Sequence, residues 1–325
     1  MASRLLRVPA CVICGLLSAA NAFAAGASCD RVCLKNVLDQ YLAAVIKHDP
    51  STAPLFVGFR QTENAIVVGP GTGAWKTITG LGKVQRRYLD PVTGQAGYFG
   101  IVDEGANQAV ATLRLRVEDR KITEAEWVIA RKDAFGPNGP GGALVNPESL
   151  IANPPPERTV PREARAPREA MLAIANSYFD GLTTHDGSII MHVPGCTRIE
   201  NGTMMTGPGR GAGAGAGAAG RGVQAAPAPP GGADCSSNLE NLNVSLVAAR
   251  RYPIVDEEAG VVLGMVVFMR KPGTATRRNL LTEWFFVDNN KIRTIYAAMY
   301  YPPPEMPVPN WPPFDGNWPV APPAK

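Results

Sequence analysis

Apolar residues recur at helical spacing twice along the chain. Leu34, Val37, Leu38, Tyr41, Leu42 and Val45 share one helical face, and Met171, Ile174, Ala175, Tyr178, Phe179 and Leu182 repeat the arrangement further on. Each set predicts a helix packed on a core by one side. Downstream the period shortens. Residues 108–117, 121–130, 260–270, 280–287 and 291–301 read as strands, and Asp119-Arg120 and Asp288-Asn289-Asn290 supply hairpin turns between them. Both parts of the chain therefore read as helices first and an antiparallel sheet after, an α+β order.

The two parts are copies of one pattern. Tyr41, His48, Asp49, Glu63 and Asn64 recur as Tyr178, His185, Asp186, Glu200 and Asn201, all displaced by 137 positions. Arg86-Arg87-Tyr88 recurs as Arg250-Arg251-Tyr252 at an offset of 164, which requires an insertion in the second copy. Residues 207–233, rich in Gly, Ala and Pro, are that insertion, and they cannot bury enough side chain to offset the entropy of ordering. Lys121-Ile122 answers Lys291-Ile292 at an offset of 170, so a hairpin of the second copy is expected to be longer by 6 residues. The expected organisation is residues 28–133, a linker at 134–167, residues 168–301, and a Pro-rich tail at 302–325 with Trp311, Phe314 and Trp318 among its prolines.

Composition narrows the partners. With 34 Gly and 30 Pro an all-helical bundle is disfavoured, and 45% hydrophobic residues suffice for two cores. The charge of +4 comes without a dense basic block, so nucleic acid is not expected as a partner. Arg4 and Arg7, an uncharged run over residues 8–20 and small residues near Ala22 and Ala24 have the layout of a cleaved secretory signal spanning 1–24. A secreted or periplasmic location follows, with no membrane attachment after cleavage. Of six cysteines, Cys29, Cys33, Cys196 and Cys235 would remain, and an even number in an exported chain favours disulfides. Three connectivities are open. Spacing favours Cys29 with Cys33 and Cys196 with Cys235, the second closing the base of the insertion. A metal site is not expected, because C-x-x-x-C here lacks a matching His pair.

The helix ending in His-Asp and the following E-N strand resemble the nuclear transport factor 2-like superfamily, which includes SnoaL-type cyclases, scytalone dehydratase and ketosteroid isomerase. The opening C-D-R-V-C-L, the helix from Tyr41 to Asp49 and R-Q-T-E-N at Arg60 to Asn64 are similar to a secreted group of unknown function, found in fungi and bacteria, that carries this domain. The resemblance implies two tandem cone-shaped α+β barrels, each with helices packed on a curved antiparallel sheet. It implies no particular chemistry, because that superfamily holds lyases, isomerases, hydrolases and non-catalytic binders.

Candidate chemistry comes from the residues themselves. His48 beside Asp49 has the pieces of an acid-base group, while Asp49 before Pro50-Ser51 is equally suited to cap a short helix. Glu63 at a strand end is a second proton-transfer candidate. Arg86 and Tyr88 can donate to negative charge, and Trp75 and Tyr98 can line an apolar cavity or fill a core. No nucleotide, flavin or metal-protease motif is present, so no cofactor is expected. Two readings follow. One is a cofactor-independent lyase, isomerase or hydrolase acting on a small, partly apolar molecule in the first copy, with His48 or Glu63 moving the proton. The other is a non-catalytic ligand-binding or scaffold protein.

Overall fold

The computed structural model describes residues 29–132, 145–207, 233–273 and 278–302. The signal-like segment at 1–24, nearly all of the insertion at 207–233, nearly all of the tail at 302–325 and part of the linker lie outside the described residues.

The first half runs α1 (Arg31–Ile46), β1 (Leu55–Glu63), β2 (Ile66–Val68), a short α2 (Ala74–Thr77), then β3 (Gly80–Asp90), β4 (Gln95–Glu104), β5 (Asn107–Glu118) and β6 (Lys121–Ala130). After α3 (Pro147–Ala152) the second half runs α4 (Arg168–Thr184), β7 (His192–Glu200), β8 (Thr203–Thr206), β9 (Val244–Asp256), β10 (Val261–Arg270), β11 (Asn279–Asp288) and β12 (Lys291–Tyr300). The chain is thus mixed α+β, with two six-stranded sheets of identical order, β2-β1-β6-β5-β4-β3 and β8-β7-β12-β11-β10-β9. In each, the first long strand pairs in parallel with the last and every other pairing is antiparallel. No helix among the described residues is long and apolar enough to cross a membrane.

Local chemistry explains where the elements stop. Asp30 accepts from the Cys33 backbone N–H and starts α1. His48 and His185 both take positive φ after their helices, at 58° and 61°, and the next Asp caps a 3-10 turn through Ser51 or Ser188. Asn64 and Asn201 also have positive φ, and each side chain makes a reciprocal pair of bonds to one residue of the last strand, Ile129 or Met299. The recurring His-Asp and Glu-Asn pairs therefore include four residues fixed by backbone geometry. Cys29 is bonded to Cys33, and Cys196 to Cys235.

Each sheet has one face on its own helix and the other on the opposite sheet. Leu34, Leu38, Tyr41 and Trp127 belong to one core and Met171, Tyr178, Phe179 and Phe285 to another, while a third core joins Tyr88, Phe99 and Val128 to Leu263, Trp284 and Tyr296. The contact between halves follows an approximate two-fold. Asp256, at the end of β9, accepts from Arg31 at 2.8 and 2.9 Å and from the Leu89 N–H. Asp90, at the end of β3, accepts from Arg168 at 3.0 and 2.7 Å and from the Val255 N–H. Arg31 and Arg168 are both the first residues of their helices. Near the axis, Thr282 donates to its counterpart Thr112 at 2.7 Å.

The described part of the segment expected as linker at 134–167 packs on the halves that it joins: Val145, Pro147 and Leu150 are buried, and the carbonyls of Asn153 and Pro154 accept from the Tyr296 hydroxyl. One expectation needs correction. The recurrence of Arg-Arg-Tyr is not a structural equivalence. Strand register matches Tyr88 opposite Gly97 with Ile254 opposite Leu263, an offset of 166. Between Ile254 and Arg251 the register of β9 shifts, with Pro253 in the irregular stretch. The shift turns the strand over, so Tyr88 packs on the other sheet whereas Tyr252 packs toward α4 and donates to Asn176.

Candidate functional site

Among the described residues a polar cavity of about 610 Å³ is lined by Asp103, Glu104, Gln108, Arg131, Lys132 and Glu148, and three further places collect polar chemistry. The first is the space between α1 and its sheet. There Gln61 Oε1 accepts from the Tyr41 hydroxyl at 2.8 Å and from Trp75 Nε1 at 2.7 Å, and Trp127 Nε1 donates to Tyr41 at 3.3 Å. All four side chains are buried, and burial raises the Tyr41 phenol far above its ordinary range. This is a filled, neutral interior.

The residues expected to carry chemistry in the first copy lie around this interior without converging. His48 is exposed, and its Nδ1 lies 2.6 Å from the Trp75 carbonyl. Glu63 accepts from the Ala74 N–H at 2.6 Å and pairs with Arg131 at 2.9 Å. Its carboxylate takes the space beside Gly73, where a Cβ would lie 2.3 Å from Oε2 and where φ is +58°. Both groups therefore hold α2 in place. Tyr98 is buried in the same core and donates to the Ile101 carbonyl at 2.7 Å, and Trp75 is occupied by Gln61.

The second place is the corresponding interior of the second half. Register aligns Glu283, Ala297 and Glu200 across three neighbouring strands, where the first half has Leu113, Trp127 and Glu63. Arg198 stands at the position of Gln61, donating to the Tyr178 hydroxyl at 2.9 Å and pairing with Glu200 at 2.8 Å. Neither carboxyl oxygen of Glu283 has a hydrogen-bond partner. Burial pushes Glu283 up to about 8, the Glu200 charge adds to this, and Arg198 opposes it. Phe179 reaches across to Gly264, where a Cβ would lie only 2.8 Å from the ring, and so fills the space that Tyr98, the register counterpart of Gly264, takes in the first half. A cavity of about 20 Å³ remains beside Arg198 and Glu200, room for a water molecule rather than a substrate.

The third place is a cleft of about 520 Å³ between the halves, within the size range of small-molecule sites. Tyr88, Arg86 and Arg87 reach it from β3, Arg31 from α1, Phe286 and Ala259 from the second half, and Pro156, Glu157, Arg158 and Thr159 from the joining segment. Here the structure does bring two of the expected binding residues together, Arg86 and Tyr88.

Within this cleft the arginines differ in availability. Arg158 is consumed by the carbonyls of Ala259, Gly260 and Val287 and by Asp288, and its guanidinium lies over the Phe286 ring. Arg31 is held by Asp256 and Glu258. Arg86 donates through Nε to the Pro155 carbonyl at 2.6 Å, and its Nη1 pairs at 2.7 Å with Glu157, whose side chain is 77% exposed. Tyr88 stacks tilted on Trp284 with ring centres 4.6 Å apart, and its hydroxyl is buried without a hydrogen-bond partner. Burial raises that phenol well above its ordinary range, so it stands as a neutral donor. A donor left in this state costs roughly 1–3 kcal/mol, and it lies behind the cleft surface rather than on it. Sequence reading missed Arg158, Glu157 and Phe286, because two sit in a stretch that reads as linker and one in an unbroken apolar strand.

Among the described residues, no group of three or more His, Cys, Asp or Glu is placed to hold a metal ion. Residues 164–299, from just before α4 to near the end of β12, match the family model described as a domain of unknown function, DUF8021. No curated protein matches the chain.

Proposed function

We propose that this is a secreted, non-catalytic protein that binds a small, partly apolar molecule in the cleft between its halves. One observation carries the reading: a cleft of ligand size is lined by both halves and the segment that joins them, whereas the interiors behind α1 and α4 are packed. Acid-base catalysis receives less support. His48 and Glu63 are each engaged with α2, and Glu283 sits beyond reach of a substrate-sized space. Export is supported by the signal-like amino terminus and by two disulfides, which persist in oxidising compartments. Each half is read as a cone-shaped barrel of the nuclear transport factor 2-like kind, on the strength of its helix-then-sheet order and its single parallel pairing.

A thermal-shift screen with aromatic, terpenoid and sugar-derived compounds tests this. Thr159 is exposed and lines the cleft, so Thr159→Trp obstructs the cavity without entering a core. A ligand at 100 times its Kd stabilises by about 2.7 kcal/mol. A saturable shift should appear in the native protein and vanish in Thr159→Trp. Shifts that survive the substitution, or turnover of any bound compound, would overturn the reading.

A further inference from the structure

We infer that the sheet face joining the two halves accepts only the unlike half, so that a second copy of the chain cannot pair with the first through like halves. A hole at Gly97, and the side chains that fill it, set this choice.

The ion pairs at the junction do not make the distinction. Arg31 and Asp90 belong to the first half, and Arg168 and Asp256 to the second, so each half carries both the helix-start arginine and the strand-end aspartate of the exchange. Two first halves, or two second halves, would satisfy those bonds equally well. A preference for the unlike half has to come from the faces between them.

Shape supplies the first difference. In the first sheet Gly97 lies between Tyr88 and Arg114, and by register the same place in the second sheet is Leu263, between Ile254 and Trp284. Across the junction Trp284 and Ile254 press into Gly97, where a Cβ would lie 2.5 Å from Trp284 Cη2 and 2.6 Å from Ile254 Cδ1. The φ of Gly97 lies outside the left-handed region, so close approach rather than backbone conformation is what excludes a side chain there. In a pair of second halves Leu263 would stand where Gly97 does, and each leucine would overlap the other copy's Trp284 and Ile254. In a pair of first halves glycine would stand at both places, facing Tyr88 and Arg114, and the volume that Leu263 now takes up would be empty twice. Overfilling and underfilling a core are both destabilising.

Charge supplies the second difference. Arg251 pairs with Glu126 across the junction at 2.7 Å, and register puts Tyr296 where the first half has Glu126. A pair of second halves would therefore bring each Arg251 against a phenol in place of a carboxylate, at a position where Glu126 is only 1% exposed. A fit to one partner together with a misfit to the other is what specificity requires.

The test uses the full mature chain with a protease recognition sequence inserted between Glu163 and Ala164, in an exposed stretch of the joining segment. The folded protein is cut, held in urea below its unfolding transition so that the fragments exchange, and weighed by native mass spectrometry. Pairing without preference would yield equal amounts of like and unlike pairs. Unlike pairs should instead exceed like pairs at least about thirtyfold, the ratio expected from two misfits in every like pair. Leu263→Gly should reduce that ratio and produce pairs of second halves, because it opens in them the hole that Gly97 gives the first half. Gly97→Leu should lower the yield of unlike pairs at least about tenfold. If that variant does not fold as an intact chain, Gly97→Ala, whose single methyl meets the same two side chains, takes its place. Like and unlike pairs in equal amounts from the native sequence overturn the inference, and so does a Gly97→Leu chain that pairs as the native one does. Halves that separate on cutting and do not rejoin also overturn it, since the face would then hold neither partner.

Discussion

Leu113 and Glu283 occupy the same place in the two sheets, one an apolar core residue and the other a buried acid without a hydrogen-bond partner. The unfolded chain ionises Glu283 near its ordinary value of 4.5, and the folded chain does so near 8. Between these values the folded form holds the extra proton, so this residue's contribution to stability falls as pH rises, by up to about 1.4 kcal/mol per pH unit, and levels off above the folded value. Glu283→Gln should therefore gain on the native protein in melting temperature from pH 5 to about 8 and gain no further above that. A constant difference across that range would show that Glu283 does not titrate there. In the first half the corresponding experiment is Gln61→Leu. It strands the Tyr41 hydroxyl and Trp75 Nε1 at once, and a loss of about 2–4 kcal/mol in urea unfolding is expected. Neither interior was legible beforehand. Gln61 and Arg198 share an offset of 137, but polar identity differs between them, and a search for identities passes over the positions where two copies diverge.

At the scale of elements, the helices were readable because α1 and α4 each keep one apolar stripe, and the predicted faces are the buried ones. The strands were harder. β10 and β11 are buried on both faces, so their apolar runs carry no alternation to show which side meets the helix and which the opposite sheet. The irregular register of β9 was invisible for a related reason: an extra residue in a strand changes the facing of everything beyond it while leaving the motif itself intact. Disulfide spacing was more informative than either. The bond between Cys196 and Cys235 spans a separation of 39 residues and that between Cys29 and Cys33 only 4. In the chain-entropy account these are worth about 4 and about 2 kcal/mol. Replacing Cys196 and Cys235 by Ser should thus cost about twice as much, by guanidinium unfolding, as replacing the other pair. Equal losses would indicate that local packing rather than loop closure sets the value.

Across the whole molecule, the exchange of Asp90 and Asp256 ties each helix start to the far end of the other half's sheet. Breaking a buried pair on one side costs about 3–5 kcal/mol, because the remaining charge and the backbone N–H groups are left without a partner. Asp256→Asn should lower stability by that order, and the loss should be shared. Tryptophan fluorescence, which samples Trp75 and Trp127 as well as Trp284, and far-ultraviolet circular dichroism should report a single coincident transition in the native protein. Two separated transitions would mean that the halves unfold independently. The sequence could not disclose this contact, since Asp90 and Asp256 recur at 166, a spacing that becomes meaningful only once strand register is known.

Joining two like halves in one chain also removes a restriction that pairs of identical molecules obey. In a symmetric pair, any change on one side of the axis is made on the other, so a pocket and its rotated copy must evolve together. Here the partners of the cleft wall, Trp284 and Tyr296, correspond by register to Arg114 and Glu126, and Glu126 is bonded to both Arg114 and Arg251. One flank of the axis has been closed by charge while the other keeps its aromatic rings and its opening. Covalent linkage holds the partners at a fixed high local concentration, so asymmetry carries no penalty in assembly. The tandem arrangement thus lets one side of the axis change its shape and charge without the same change on the other.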